Sequence, residues 1–135
     1  MFLKRPGGQS QFSNQLIAQL AQRPSLRELQ EWVGEHLDAD LSVPALARRT
    51  GMSPRNFARA FRREAGVTPG EYVEGQRVGM ARQWLEATDE TIGEIARRCG
   101  YGTVETMYRA FQRRVHVSPG DYRLRFRTDS LSPTS

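Results

Sequence analysis

Residues 46–72, LARRTGMSPRNFARAFRREAGVTPGEY, recur as residues 95–122, IARRCGYGTVETMYRAFQRRVHVSPGDY, with one residue inserted beside Gly102. Identical positions include Ala47/Ala96, Arg48/Arg97, Arg49/Arg98, Gly51/Gly100, Arg59/Arg109, Phe61/Phe111, Arg63/Arg113, Pro69/Pro119, Gly70/Gly120 and Tyr72/Tyr122. A repeat that keeps arginines as well as apolar residues duplicates an outward-facing surface along with a fold. In each copy an alanine (Ala47, Ala96) precedes a glycine (Gly51, Gly100). A capped segment follows with an apolar pair four residues apart, Phe57 and Phe61 or Met107 and Phe111. A helix-turn-helix needs this order: the small residue lets two helices cross closely, glycine takes the turn, and the apolar pair seats the second helix.

That second helix then presents a polar outer face. In the first copy the face carries Arg55, Asn56, Arg59, Arg62 and Arg63; in the second it carries Glu105, Thr106, Arg109, Gln112 and Arg113. In a DNA major groove, residues near the start of such a helix reach base edges, and those further along or on its flanks reach phosphates. Arg55 and Arg59 suit guanine, Asn56 suits adenine, and Glu105 has the acceptor for cytosine N4. Arg62, Arg63 and Arg113 suit the backbone.

Helix starts are marked locally. Ser25-Leu26-Arg27-Glu28 is a capping box opening a helix that buries Leu26, Leu29, Trp32, Val33 and Leu37. Ser42 caps a short helix ending at Gly51, and Ser53-Pro54, Thr68-Pro69 and Ser118-Pro119 each place proline in a first turn. Thr91-Ile92-Gly93-Glu94 reads as a second capping box, and Thr103 as a further cap. The helix from Pro69 to about Ala87 carries Val73, Val78, Met80, Ala81, Trp84 and Leu85 on one arc, which predicts contact with both copies. At 1.5 Å per residue it spans about 28 Å, close to the roughly 34 Å between successive major grooves on one face of DNA. Strand signals are scarce. The expected fold class is all-α, with seven helices forming two helix-turn-helix subdomains joined by a long central helix.

Composition agrees. The chain has 135 residues, 20 Lys+Arg against 15 Asp+Glu, and a net charge of +5. Residues 41–127 alone hold 16 Arg and 9 Asp+Glu, hence +7, so the positive excess belongs to the repeats. Such a balance favours an acidic partner. Cys99 has no partner for an internal disulfide and falls in a helical apolar pattern. No apolar run nears the roughly 18 residues of a membrane span, and MFLKRPGGQSQF lacks a signal peptide's apolar stretch. The domain reading is a flexible lead over 1–24, polar and Gly-rich in its first 14 residues, a DNA-binding domain over 25–127, and a disordered tail over 128–135. Within the domain, the first unit covers about 42–65, the linking helix 69–87 and the second unit 91–115.

Two such units in tandem, each followed by a capped Pro-Gly-x-Tyr helix, resemble the DNA-binding domain of the AraC/XylS family of bacterial transcription regulators over about residues 25–127. The second unit, GYGTVETMYRAFQRRVHVSPGDYR, is the more diagnostic. The resemblance implies an asymmetric promoter site in double-stranded DNA, with both recognition helices in successive major grooves, some bending, and activation as the usual outcome. The family's base-reading positions fall on Arg55, Asn56, Ala58 and Arg59 and on Val104, Glu105, Thr106, Tyr108 and Arg109, with Arg62, Arg63, Gln112 and Arg113 on the backbone. Ala58 and Val104 depart from the polar residues usual there, which leaves them thymine-methyl contacts at most. The lead RPGGQSQF also resembles the segment that joins an amidase-like, PfpI-type sensor domain to this module in one branch, which points to a fragment without an effector site. RNA polymerase is a second expected partner, and the bacterial cytoplasm, at the nucleoid, the expected location.

Other readings compete at particular residues. Arg48, Arg49, Arg97 and Arg98 lie on the first helix of each unit, where structural or solvated roles outweigh DNA contact. Arg77 lies inside the apolar arc, which favours a buried ion pair with a glutamate. Glu105 is repulsive near phosphate unless paired, and Arg109 is the expected partner. His36 suits a helix C-terminus, His116 has no second ligand at zinc spacing, and Tyr72 and Tyr122 fit core positions. No nucleophile, base or metal cluster points to an enzyme or cofactor. The alternative function is a protein-interaction module whose basic face docks an acidic partner such as RNA polymerase.

Overall fold

The structure, a computed structural model, describes residues 25–131, with side chains to Thr128. The lead over 1–24 and residues 132–135 lie outside the described residues. Seven helices follow in order: α1 Leu26–Glu35, α2 Val43–Thr50, α3 Pro54–Ala65, α4 Pro69–Ala87, α5 Ile92–Arg98, α6 Val104–Arg114 and α7 Pro119–Leu131. No strand occurs among the described residues.

Each start has a side-chain cap. Ser25 and Glu28 exchange two 3.0 Å hydrogen bonds across the first turn of α1, and Thr68 and Glu71 exchange two of 2.9 and 3.1 Å on α4. Ser42, Ser53, Thr103 and Ser118 each accept from the amide three residues on. The expected box at Thr91 is only half formed. Thr91 accepts from the Glu94 amide, but the Glu94 carboxylate turns outward and takes two 2.6 Å bonds from Arg97. A charge-assisted pair one turn along the helix competes here with a neutral backbone N–H, and wins.

Two cores share one helix. Leu29, Val33, Leu46, Phe57 and Phe61 fill the first, and Ile95, Cys99, Met107, Ala110 and Phe111 the second. α4 supplies Val73 to the first and Val78, Ala81 and Leu85 to the second, while Met80 packs against both. Phe57, Phe61 and Phe111 are buried, each gaining about 1.5–3 kcal/mol from removal of its surface from water. Tyr72 and Tyr122 set their rings edge-on to Phe61 and Phe111 at 5.5 and 6.2 Å, so the second residue pair of the repeat closes each core as expected.

The units meet directly at a seam beside Gly100. Arg77 is half-buried, but its partner is not a glutamate: Nε and Nη2 donate to the Leu37 carbonyl at 3.1 and 2.9 Å, and Nη2 also reaches the Ala39 carbonyl. The carbonyls beyond the end of α1 have no intrahelical donors left, so a guanidinium satisfies them where the sequence suggested an ion pair. The turn glycine of the second unit lies against the same carbonyl. A Cβ on Gly100 would sit 1.8 Å from Leu37 O, and its φ of +87° already favours glycine.

The last helix overruns its expected boundary. It continues to Leu131, four residues past 127, where no glycine or proline interrupts it, and Arg127 ties it to Asp89 at 2.8 Å and to the Thr88 carbonyl at 2.5 Å. Arg123 reaches Leu85 O and Thr88 O, so α7 also caps the end of α4.

Candidate nucleic-acid interface

The candidate recognition helices are α3 and α6, and their orientation follows from which residues are buried. With Phe57 and Phe61 inside, α3 turns Arg55, Asn56, Arg59, Arg62 and Arg63 to solvent, while Ala58 is half-buried on the flank. With Met107, Ala110 and Phe111 inside, α6 turns out Glu105, Tyr108, Arg109, Gln112 and Arg113, and Val104 and Tyr108 are 39% and 48% exposed. The structure therefore gathers all thirteen candidate residues on these two helices, nine of them for bases (Arg55, Asn56, Ala58, Arg59, Val104, Glu105, Thr106, Tyr108, Arg109).

The two faces differ in how free they are. Among the described residues, no side chain on the α3 face forms an ion pair or hydrogen bond, so its four guanidinium groups keep their donors for a ligand. On α6 Arg109 is equally free, and Glu105 also lacks an ion pair; the expected Glu105–Arg109 pairing is absent. Geometry explains it: both side chains extend into solvent, where a single i,i+4 pair gains only about 0.3–0.5 kcal/mol. Thr106 is half-buried, and its hydroxyl shares a 2.9 Å hydrogen bond with the capping Thr103. Arg113 is held at 2.6 Å by Glu74 of α4. Between the units runs an open cleft of about 530 Å³, lined by Asp40, Gly70, Glu74, Arg77, Tyr101 and Arg113 among others.

The repeated arginines of the first helices have a different use. Arg49 lies 3.7 Å over the Trp32 ring and its equivalent Arg98 lies 4.8 Å over Trp84. The tryptophans come from the helix that precedes each unit, so both units share this contact. These stacked cations brace each unit. Arg97 is taken by Glu94. His36 stacks on Trp32 at 4.2 Å and bonds the Trp32 carbonyl, closing α1 as a helix-end residue.

Sequence reasoning missed Glu74 and Arg114. The signal was present: Arg114 aligns with Glu64, an acid-to-base change at the same repeat position. Arg114 Nη2 donates to the Glu71 carbonyl at 2.7 Å, and its Nε lies 3.6 Å from Glu74. Burial pushes the Cys99 thiol up to about 11, leaving it a core residue with little thiolate at neutral pH. Among the described residues no group of acids, histidines or cysteines is arranged to hold a metal, and no helix is long and apolar enough to cross a membrane.

A family model described as a helix-turn-helix domain matches residues 46–125. The chain is 54% identical over 84 residues to the HTH-type transcriptional regulator Rv1931c of Mycobacterium tuberculosis, covering 62% of this chain and 32% of that protein. It is 35% identical over 100 residues to the regulatory protein SoxS of Salmonella typhimurium, covering 74% of this chain and 94% of SoxS. The chain thus spans about a third of one relative and nearly all of another. Among solved structures, the DNA-binding domain of AdpA, a global transcriptional factor captured in complex with a target DNA, superposes with a TM-score of 0.76 at 35% identity, over 82% of this chain and 99% of that one.

Proposed function

The chain belongs to the AraC/XylS family of DNA-binding transcription regulators, and from that premise we propose that one copy reads an asymmetric promoter site through two adjacent major grooves. The observation that carries this reading is the pair of outward helices, α3 and α6, built on one scaffold with different side chains at equivalent places. Arg55, Asn56 and Ala58 stand where the second unit has Glu105, Thr106 and Tyr108. One protein surface with two unlike reading heads fits a site whose halves differ.

Arg59 and Arg109 are the shared contact, each an exposed guanidinium one turn into its helix, suited to bidentate bonds with guanine. Asn56 supplies adenine readout. Glu105, unpaired, supplies an acceptor for cytosine, and Tyr108 and Val104 supply apolar surface to a thymine methyl. Thr106, held by its cap, contributes through its methyl group. Arg62, Arg63, Gln112 and Arg113 face phosphates. Activation by contact with RNA polymerase at a bacterial promoter, in the cytoplasm at the nucleoid, completes the reading, with no catalytic step by this chain. The AdpA–DNA complex and the regulators named above support the DNA-binding part of this reading.

Selection of bound duplexes from a random pool supplies the site and the first test. On that site Arg59→Ala and Arg109→Ala each lose about 1–3 kcal/mol of binding and relax preference at one base position. Unchanged affinity and preference in both variants would falsify the assignment of α3 and α6.

A further inference from the structure

Resting on the DNA-binding reading above, we propose that Glu74 is a positioning residue: it clamps the second recognition helix to the linking helix and so fixes the half-site spacing the protein accepts. Glu74 lies in the first half of α4, beside Tyr72 and Val73, which pack against the first core. The end of α6 reaches across to it. Arg113 bonds Oε2 of Glu74 through Nε at 2.9 Å and Nη2 at 2.6 Å, and Arg114 approaches Oε1 at 3.6 Å. Arg114 also bonds the Glu71 carbonyl one turn earlier and lies flat over Gly75, where a Cβ would come within 3.3 Å of its Nη1. One carboxylate, one carbonyl and one bare patch of helix therefore receive two consecutive arginines of the recognition helix.

The first unit has no counterpart. Arg63 and Glu64, equivalent to Arg113 and Arg114, make no ion pair among the described residues. The clamp is thus an addition to the duplicated scaffold. It joins the second reading head to the segment of α4 that belongs to the first. Its position beside the cleft between the heads also disfavours an uncompensated carboxylate, since a passing phosphate backbone would repel it. Two arginines neutralise Glu74 there, which makes the contact compatible with bound DNA. A second connection, Arg77 on Leu37 with Gly100 against it, lies at the seam. Between these two points the angle of α6 is fixed.

The test uses the whole chain with exposed spin-label sites at Asn56→Cys on α3 and Gln112→Cys on α6; Cys99 is buried and stays unlabelled. Without DNA, the label-to-label distance distribution is expected to be narrow, and to broaden in Glu74→Ala. Arg114→Ala, which removes the carbonyl and Gly75 contacts and leaves Glu74 intact, broadens it as well. Unlabelled proteins are then measured on the selected duplex and on duplexes one base pair longer or shorter between the halves. The mis-spacing penalty, about a hundredfold with Glu74 present, falls to about tenfold in Glu74→Ala. A folded Glu74→Ala with unchanged distance distribution and unchanged penalty overturns the proposal. So does a gain in affinity at unchanged penalty, because Glu74 would then only compete with phosphate for Arg113. If the wild-type chain binds no duplex, the DNA-binding reading fails, and the label distances still decide the clamp.

Discussion

The two helix-turn-helix units of this chain have the same interior and unlike exteriors. Each contains a crossed helix pair, a glycine turn, a buried aromatic closed by a tyrosine edge, and an arginine stacked on a tryptophan from the preceding helix. Outside, α3 is a run of uncommitted arginines, whereas α6 mixes an acid, a tyrosine and a free arginine and gives its last two arginines to α4. The first unit therefore presents the denser free positive charge, and the second the more firmly anchored helix. Duplication has preserved what packs and altered what faces a partner.

The largest expected effect probes the seam that only the second turn makes. Gly100→Ala places a methyl into Leu37 O at a left-handed φ and should lose at least about 3 kcal/mol, whereas Gly66→Ala, at φ +83° with nothing within 4 Å, should lose only about 1–2 kcal/mol. Urea unfolding of both variants measures the gap; equal losses would mean that Gly100 matters for its backbone angle alone. Next comes phosphate contact. Arg63→Ala should lower the salt dependence of DNA binding by about one counterion, and Arg113→Ala by less, because its charge is already shared with Glu74. Titrations at several salt concentrations decide, and equal slopes would erase the distinction between the faces.

Smaller again is the left-handed residue at the end of α3 and just past the end of α6. His116 holds φ +67° where the first unit has Gly66 at +83°. His116→Gly is expected to raise stability by about 1 kcal/mol through relief of that conformation. A lower melting temperature would show instead that the imidazole is needed. Smallest are the stacked arginines. Arg49→Ala and Arg98→Ala should each lose about 0.5–1 kcal/mol of stability while leaving base preference unaltered. A change in the preferred site would return them to the DNA interface.

Much of this was legible in the sequence because it is local. A capping serine, a proline in the first turn and a glycine at a helix end act within four residues, so seven starts were readable, and the one overstatement, at Thr91, arose where a neighbouring arginine drew Glu94 away. The outward faces of α3 and α6 were readable because the repeat shows which positions must be buried. What depended on residues about 40 positions apart was not. Arg77 needed an anion by its sequence setting and found two carbonyls instead, and Arg113 looked as free as Arg63 until α4 brought Glu74 to it. Glu105 failed in the opposite way: spacing permitted a pair with Arg109, but in solvent nothing enforces one.

One helix threads both cores, and this bears on how the protein melts. Val73 belongs to the first interior, Val78, Ala81 and Leu85 to the second, and Met80 touches both within a single uninterrupted hydrogen-bonded ladder. Loss of either interior strips the apolar arc that keeps α4 helical, and so withdraws support from the other. Two units that are separate in sequence should therefore unfold in one cooperative transition, with the amide protons at the middle of α4 the last to exchange.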